Sequence, residues 1–427
     1  MKAPVTSRLA LLVAVAWTGT TVVAHAQTDA ADETAVLVQN ARVVTPSGEL
    51  LEGERDVLVL FDGRTEVGAD GAFDGRADIE TSYEMDDLWV TPGLFVPFSH
   101  VGLVDISAER ATNDTRAEEA VNSVALRAAD GFNPMAVAIG NSRVEGISHI
   151  ATAPGASGNI FAGTGAIVDT SGAFDSILDE DAFVYVRLGE GGKGSAGGSR
   201  LAAAAQLREA FADATDATAR TDSDLRVLTR RDARQLRRAL EGEMPLVVAA
   251  NRAVDLLRIA ELRQDYPRLD LIILGAREAW QVADRLAASG VKVMIDPHDN
   301  LPDNFESVGA RLDNAQRLRD AGVEFAFTTA SADLTHNVRV LAQHAGNAVG
   351  EGLDWEEAFA AVSTTPARWY GVELDSTVVW QGDPLEVTSR PLGMTSGGRE
   401  IVLESRQTEL SRRYDPRLNS DRAHKYR

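Results

Sequence analysis

The sequence predicts an α/β fold in which a parallel sheet alternates with helices and is flanked at both ends by β structure. Two textures and a length carry this reading. From about residue 244 to 330, short apolar runs alternate with helical ones. Glycines stop the helices just before the next strand, which is the βα pattern of a parallel sheet. Residues 34–90 and the stretch beyond Gly371 instead show short β-prone runs separated by turn clusters. With 427 residues, 44% hydrophobic and 25% charged, the chain has material for one large barrel with attachments, or for two or three domains of ~150 residues.

Taken in order, Met1 to Ala26 reads as an export signal. Lys2 and Arg8 supply a positive start, Leu9 to Trp17 is an apolar run, and Ala24-His25-Ala26 is a small-x-small cleavage pattern. The run is too short to span a bilayer, which takes about 20 residues. Cleavage after Ala26 implies an exported protein, most simply a periplasmic one. Ala35-Val36-Leu37-Val38 and Val57 to Phe61 are β-prone, and the glycine- and aspartate-rich stretch Asp70 to Asp78 predicts a loop. The texture changes around Val90-Thr91-Pro92-Gly93-Leu94. Strands are then expected at Phe95 to Phe98, His149 to Ala153 and Phe183 to Leu188, with helices over Ser199 to Asp216 and Thr229 to Glu241. The clearest stretch has strands at Leu246 to Ala250, Leu269 to Leu274, Val291 to Ile295 and Val323 to Phe327. Helices fill Arg252 to Tyr266, Ala276 to Ser289 and Leu312 to Ala321. β texture returns at Ser376 to Trp380, which suggests one β domain composed from both ends: residues 27–90 with 372–405, around a central unit at 91–371. Arg406 to Arg427 holds seven basic and three acidic residues and reads as a basic tail docking on an acidic body.

Composition excludes several chemistries. The formal charge of −22 repels phosphate backbones and argues against nucleic-acid binding. With no cysteine, disulfides, iron–sulfur clusters, thiolate zinc sites and cysteine nucleophiles are ruled out. No later segment is apolar enough to cross a membrane, and no serine stands in a G-x-S-x-G elbow. Gly189-Glu190-Gly191-Gly192-Lys193-Gly194 matches G-x-G-x-x-G after a strand. The chain does not open on this motif, and a barrel supplies the same strand–loop–helix unit, so a lid is expected there rather than a nucleotide site.

The run Val90-Thr91-Pro92-Gly93-Leu94-Phe95-Val96-Pro97-Phe98-Ser99-His100 resembles the start of the barrel in the amidohydrolase superfamily, metal-dependent hydrolases of the imidazolonepropionase-like type, where it reads V-x-P-G-L-I-D-x-H-x-H. Trp355-Glu356-Glu357-Ala358, Thr365-Pro366-Ala367-Arg368 and Val378 to Leu385 (with Gly382-Asp383-Pro384) resemble later segments of the same proteins. The resemblance covers roughly residues 34–405. It implies a (β/α)8 TIM-type barrel with a small β-sandwich formed by the N- and C-terminal segments, and hydrolysis of non-peptide or cyclic C–N bonds. In the family, divalent metals at the C-terminal ends of the strands lower the pKa of a bound water. Here Phe98 stands at the first ligand position and His100 remains of the pair. Ala249, Leu274 and Ser331 fall where the family places further ligands.

Strand ends form the active face of such a barrel. His298 and Asp299 follow a strand and share that face with His100, with Asp299 or Asp333 as proton acceptor of a rebuilt one-metal site. Glu190, Asn251, Arg252 and His336 also follow strands and are the expected substrate contacts. Two readings follow. One is a hydrolase with a reduced metal site rebuilt around His100 and His298. The other is a non-catalytic barrel that binds a small ligand, or pairs with itself or an active relative. No tightly bound cofactor is expected, zinc being implied by the resemblance alone. N-terminal sequencing of the exported protein is expected to begin Gln27-Thr28-Asp29; a mature protein that keeps Met1 contradicts the leader.

Overall fold

Alternating burial sorts the strands into two sheets. The computed structural model describes residues 35–415 and Arg417, apart from 61, 118, 216–226 and 331–333. The expected leader, Ser331, Asp333 and half of the basic tail (416 and 418–427) lie outside the described residues. The first sheet contains β1 (Ala35–Val43), β2 (Arg55–Leu60), β3 (Thr65–Gly68), β4 (Ile79–Tyr83) and β5 (Leu88–Pro92). The second contains β6 (Leu94–Ser99), β7 (Ile147–Thr152), β8 (Phe161–Asp169), β9 (Ile177–Arg187), β10 (Leu246–Ala250), β11 (Leu271–Gly275), β12 (Lys292–Ile295) and β13 (Phe325–Phe327). The chain then returns to the first sheet with β14 (Thr377–Gln381), β15 (Arg390–Ser396) and β16 (Arg399–Glu400).

The first sheet runs β16-β15-β14-β5-β1-β2-β3, with β4 also on β1. Its two halves meet where β5 pairs antiparallel with β14, from Leu88 opposite Gln381 to Pro92 opposite Thr377. Both ends of the described chain therefore build one sheet. It is a single curled layer with apolar clusters around Val57, Val90 and Val379 and around Leu37, Leu58 and Phe73.

The second sheet runs β6 through β13 in sequence order, and its edge strands β6 and β13 come back side by side, so it is a nearly closed barrel. Alternation shows clearly in β10. Leu246, Val248 and Ala250 join the layer under the helices, while Val247 and Ala249 face inward. One strand departs from the regular βα pattern: β8 is antiparallel to both β7 and β9. The links at residues 153–160 and 170–176 contain no helix and are shorter than the dozen or so residues a parallel crossover needs. The sequence hides β8 because glycines interrupt it. Gly165 lies opposite Phe183, whose ring would clash with any Cβ there, so the glycine makes room for an aromatic that fills the barrel. The G-x-G-x-x-G segment, expected as a lid loop, is instead a short helix, Gly189–Lys193.

The helix Thr364–Tyr370 carries the Thr365-Pro366-Ala367-Arg368 motif and plugs the N-terminal end of the barrel. Ala367 and Trp369 enter the inner core. The Tyr370 ring packs on Phe95 at 6.0 Å and Phe183 at 5.3 Å, and its hydroxyl donates to the carbonyl of Pro97 at 2.8 Å. Trp355, from the Trp355-Glu356-Glu357-Ala358 motif, stacks on Trp89 of β5 at 4.9 Å and donates its Nε1 to Asp383. Among the described residues, no helix is long and apolar enough to cross a membrane.

Sheet and barrel join at Gly93, between β5 and β6. Its N–H donates to Ser376 Oγ at 3.2 Å, its carbonyl accepts from Ser363 Oγ at 2.9 Å, and Ser376 Oγ donates to Ser148 Oγ at 2.9 Å. A Cβ at 93 would clash with both Ser148 and Ser376. Gly93→Ala is expected to lower the stability of the whole chain by on the order of 1–3 kcal/mol, as overpacking does. An unchanged midpoint in urea unfolding would show that the seam relaxes freely.

Candidate functional site

The strand ends define the candidate site. At that end of the barrel the inward positions are apolar. Phe98 is fully buried and meets Tyr185 of β9 at 4.6 Å and His100 at 5.7 Å, both edge-on. Leu274 and Met294 belong to the same inner cluster, and Ala249 packs against it. Burial pushes the Tyr185 phenol up to about 12, so it stays protonated at neutral pH. His100 is half-buried, with Nδ1 2.6 Å from the carbonyl of Ala153 at the end of β7. A carbonyl only accepts, so Nδ1 is the donor in that contact.

Polar groups gather on the rim. After β12, Asp296 is buried, and its Oδ1 lies 2.8 Å from His344 Nδ1 and accepts the His298 N–H at 3.0 Å. His298 itself is exposed. Its ring lies 5.2 Å from that of His344, and its Nδ1 is 3.3 Å from Asn347 Nδ2. Arg277, after β11, pairs with both Asp299 and Asp303. Burial nevertheless raises the Asp299 carboxyl to about 6. The Arg277 charge opposes this, and the neighbouring Asp296 and Asp303 charges add to it.

The ends of β9 and β10 hold the other expected contacts. Glu190 donates its backbone N–H to the buried Glu306 at 2.8 Å, and Arg200 also donates to Glu306 at 3.0 Å. Glu190 Oε2 and Asn251 Oδ1 are buried and make no hydrogen bond. Asn251 Oδ1 occupies the space beside Gly275, where φ is +97° and a Cβ would collide with it. Ala276, next in the chain, is a non-glycine residue at φ 47°, a strained conformation held at the mouth. Arg252 does not reach into the mouth but pairs with Asp255 at 2.9 Å. His336 opens a short 3-10 helix, His336–Val340, and is half-buried. Ser148, His149 and Asp375 form a serine–histidine–aspartate grouping at the opposite end of the barrel. Ser148 is fully buried and bonded to Ser376, and burial lowers the His149 pKa, so the group is structural.

Sequence reasoning missed Tyr185, Arg277, Asp296, Glu306 and His344. Alternation along β9 points Tyr185 inward, but nothing in one sequence brings a mid-helix histidine to a strand end forty-eight residues away.

The sequence matches no protein-family model and no curated protein. Solved structures do share the fold. An amidohydrolase from Thermotoga maritima MSB8 superposes with a TM-score of 0.73 at 22% identity, covering 86% of this chain and 99% of that one. A prolidase complexed with N-methylphosphonate-L-proline gives 0.51 at 15% identity, over 86% and 99% of the two chains. Molinate hydrolase gives 0.50 at 14%, over 87% and 95%. At identities this low the likeness is one of fold: the chain shares the barrel and accompanying sheet of these structures.

The divalent metal implied by the sequence resemblance finds no ready donor set among the described residues. Phe98, Leu274 and Ala249 offer no lone pair and belong to one apolar cluster at the strand ends. Among the described residues, no group of three or more histidines and carboxylates is arranged to hold a metal.

Asp299 gives the site a pH signature. Its carboxyl binds a proton more tightly in the folded chain than in the unfolded one, whose value is near 3.8. Its contribution to stability is therefore complete below about pH 4 and is lost as pH rises through about 6. Wild type relative to Asp299→Asn should lose on the order of 2–3 kcal/mol between pH 4 and 7.5, read from urea unfolding at each pH. A difference independent of pH would place the carboxyl in an ordinary solvated setting.

Proposed function

We propose that this chain is an exported barrel of the amidohydrolase type that binds a small polar ligand at the strand ends, metal-assisted hydrolysis of C–N bonds having been lost. The observation that carries this reading is the apolar inner cluster. Phe98, Leu274 and Met294, with Ala249 against them, occupy the inward positions at the mouth. A catalytic zinc needs about three protein ligands and an open position, and this surface supplies neither. Replacing such donors with packed apolar groups removes the means of making hydroxide at neutral pH.

Ligand binding draws support from the rim. A buried acceptor without a partner costs roughly 1–3 kcal/mol, and Glu190 Oε2 and Asn251 Oδ1, just beyond the ends of the neighbouring strands β9 and β10, are two such acceptors among the described residues. A ligand that donates hydrogen bonds, such as an amide N–H or a hydroxyl, would satisfy both. His100 and Tyr185, both edge-on to Phe98, are further polar groups beside the inner cluster. Export belongs to the same proposal and rests on the leader pattern at Met1 to Ala26.

Elemental analysis tests the reading. After dialysis the full mature chain is expected to hold zinc, manganese and iron well below one per protein, and to leave amide and cyclic-imide substrates unhydrolysed with metal added. About one tightly held metal per chain, lost in His100→Ala or His298→Ala, would overturn it in favour of a rebuilt one-metal hydrolase.

A further inference from the structure

A cavity of about 730 Å3 lies outside the barrel, away from the inner cluster. It is within the ~300–1,000 Å3 of small-ligand pockets. One wall is the helix Arg200–Thr215, and the other is the pair Ala253–Ala260 and Leu262–Asp265. Its floor is apolar: Leu207, Phe211, Ile259, Leu262 and Tyr266, with the Phe211 and Tyr266 rings edge-to-face at 5.1 Å. Leu201, 84% exposed, and Val254, 47% exposed, also line it and leave apolar surface open to water. Lining residues run from Arg200 to Phe211 along one wall, about 16 Å of helix, which suits an extended chain better than a compact ring.

The charges around this cavity invert those of the whole molecule. The chain carries a formal −22, yet the lining holds Arg200, Arg208, Arg252 and Arg258 against Asp255, Glu261 and Asp265. Three of these arginines are matched. Arg252 lies 2.9 Å and Arg200 3.5 Å from Asp255, and Arg258 lies 2.9 Å from Glu261. Arg208, one turn before Phe211, makes no ion pair among the described residues, and on the facing wall Asp265 makes none either. An apolar trough with an unmatched guanidinium on the Arg200–Thr215 wall suits an apolar chain whose anionic end lies against that wall, away from Asp265.

We propose that this cavity binds a single-chain alkyl carboxylate, the chain lying over Leu207, Phe211 and Tyr266 and the carboxylate paired with Arg208. The site adjoins the rim of the barrel through Leu188, Gly189 and Arg200, but the proposal does not rest on the mouth's function.

Displacement of anilinonaphthalene sulfonate from the full chain, below micellar concentrations, tests it with three probes of equal length: dodecanoate, dodecanol and dodecyltrimethylammonium. Dodecanoate is expected to bind about tenfold more tightly than dodecanol, the worth of one charge-assisted hydrogen bond, and the cation more weakly still. Arg208→Gln, an exposed helix position, should erase the preference for dodecanoate and leave dodecanol binding unchanged. Ala204→Trp should fill the trough and abolish binding of all three. Equal affinities for dodecanoate and dodecanol, or a preference that survives Arg208→Gln, would overturn the proposal. So would binding that persists in a folded Ala204→Trp protein. If Ala204→Trp fails to fold, the Arg208→Gln comparison alone decides.

Discussion

Everything in this molecule hangs on one residue without a side chain. Gly93 is where the sheet built from both ends of the described chain passes into the first barrel strand. Three serines crowd it: Ser376 on its N–H, Ser363 on its carbonyl, and Ser148 against its Cα. Each comes from a different part of the chain, Ser376 next to β14, Ser363 beside the plug helix, and Ser148 in β7. These hydroxyls satisfy buried backbone groups that neither sheet reaches with its own ladder, and leaving them unmade costs more than making them yields. The seam therefore holds sheet, barrel and plug together.

The motifs that carry the family resemblance are parts of this seam rather than of the chemistry. Pro92-Gly93-Leu94 makes the passage between sheets. Trp355 ties a barrel helix to Trp89 and Asp383. Arg368 and Trp369 both reach Glu324, and Tyr370 closes the barrel floor over Phe95. Constraints of this kind come from close packing, which tolerates little change in volume. The inward strand ends are under a different constraint. There Phe98, Leu274 and Met294 fill the space and add buried apolar area.

What surrounds that apolar centre is a polar ring assembled from many strands. Asp296 fixes both the His298 backbone and the His344 ring, Arg277 balances Asp299 and Asp303, and Glu306 collects Glu190 and Arg200. Each pairing crosses from one strand end to another loop or helix, so the ring fixes the shape of the mouth. Two acceptors, on Glu190 and Asn251, are left over. The strained turn at Gly275 and Ala276 is held beside one of them.

The sequence by itself determined the alternation from β10 to β13, because helix and strand periods, glycine stops and apolar strands are local properties. It also determined that β texture at the two ends belongs together, and that His100, His298, Asp299, Glu190 and Asn251 stand at strand ends. The tertiary structure decided the rest. It reversed β8, whose glycines look like a loop in sequence and whose short links forbid a crossover. It turned the expected lid at Gly189 into a helix, and it sent Arg252 to Asp255 outside the mouth. It also brought His344 to Asp296 and Tyr185 to Phe98. The division has one physical cause. Period and propensity are written in neighbouring residues, whereas burial, pairing and pKa depend on which distant groups share a space, and only the folded chain specifies that.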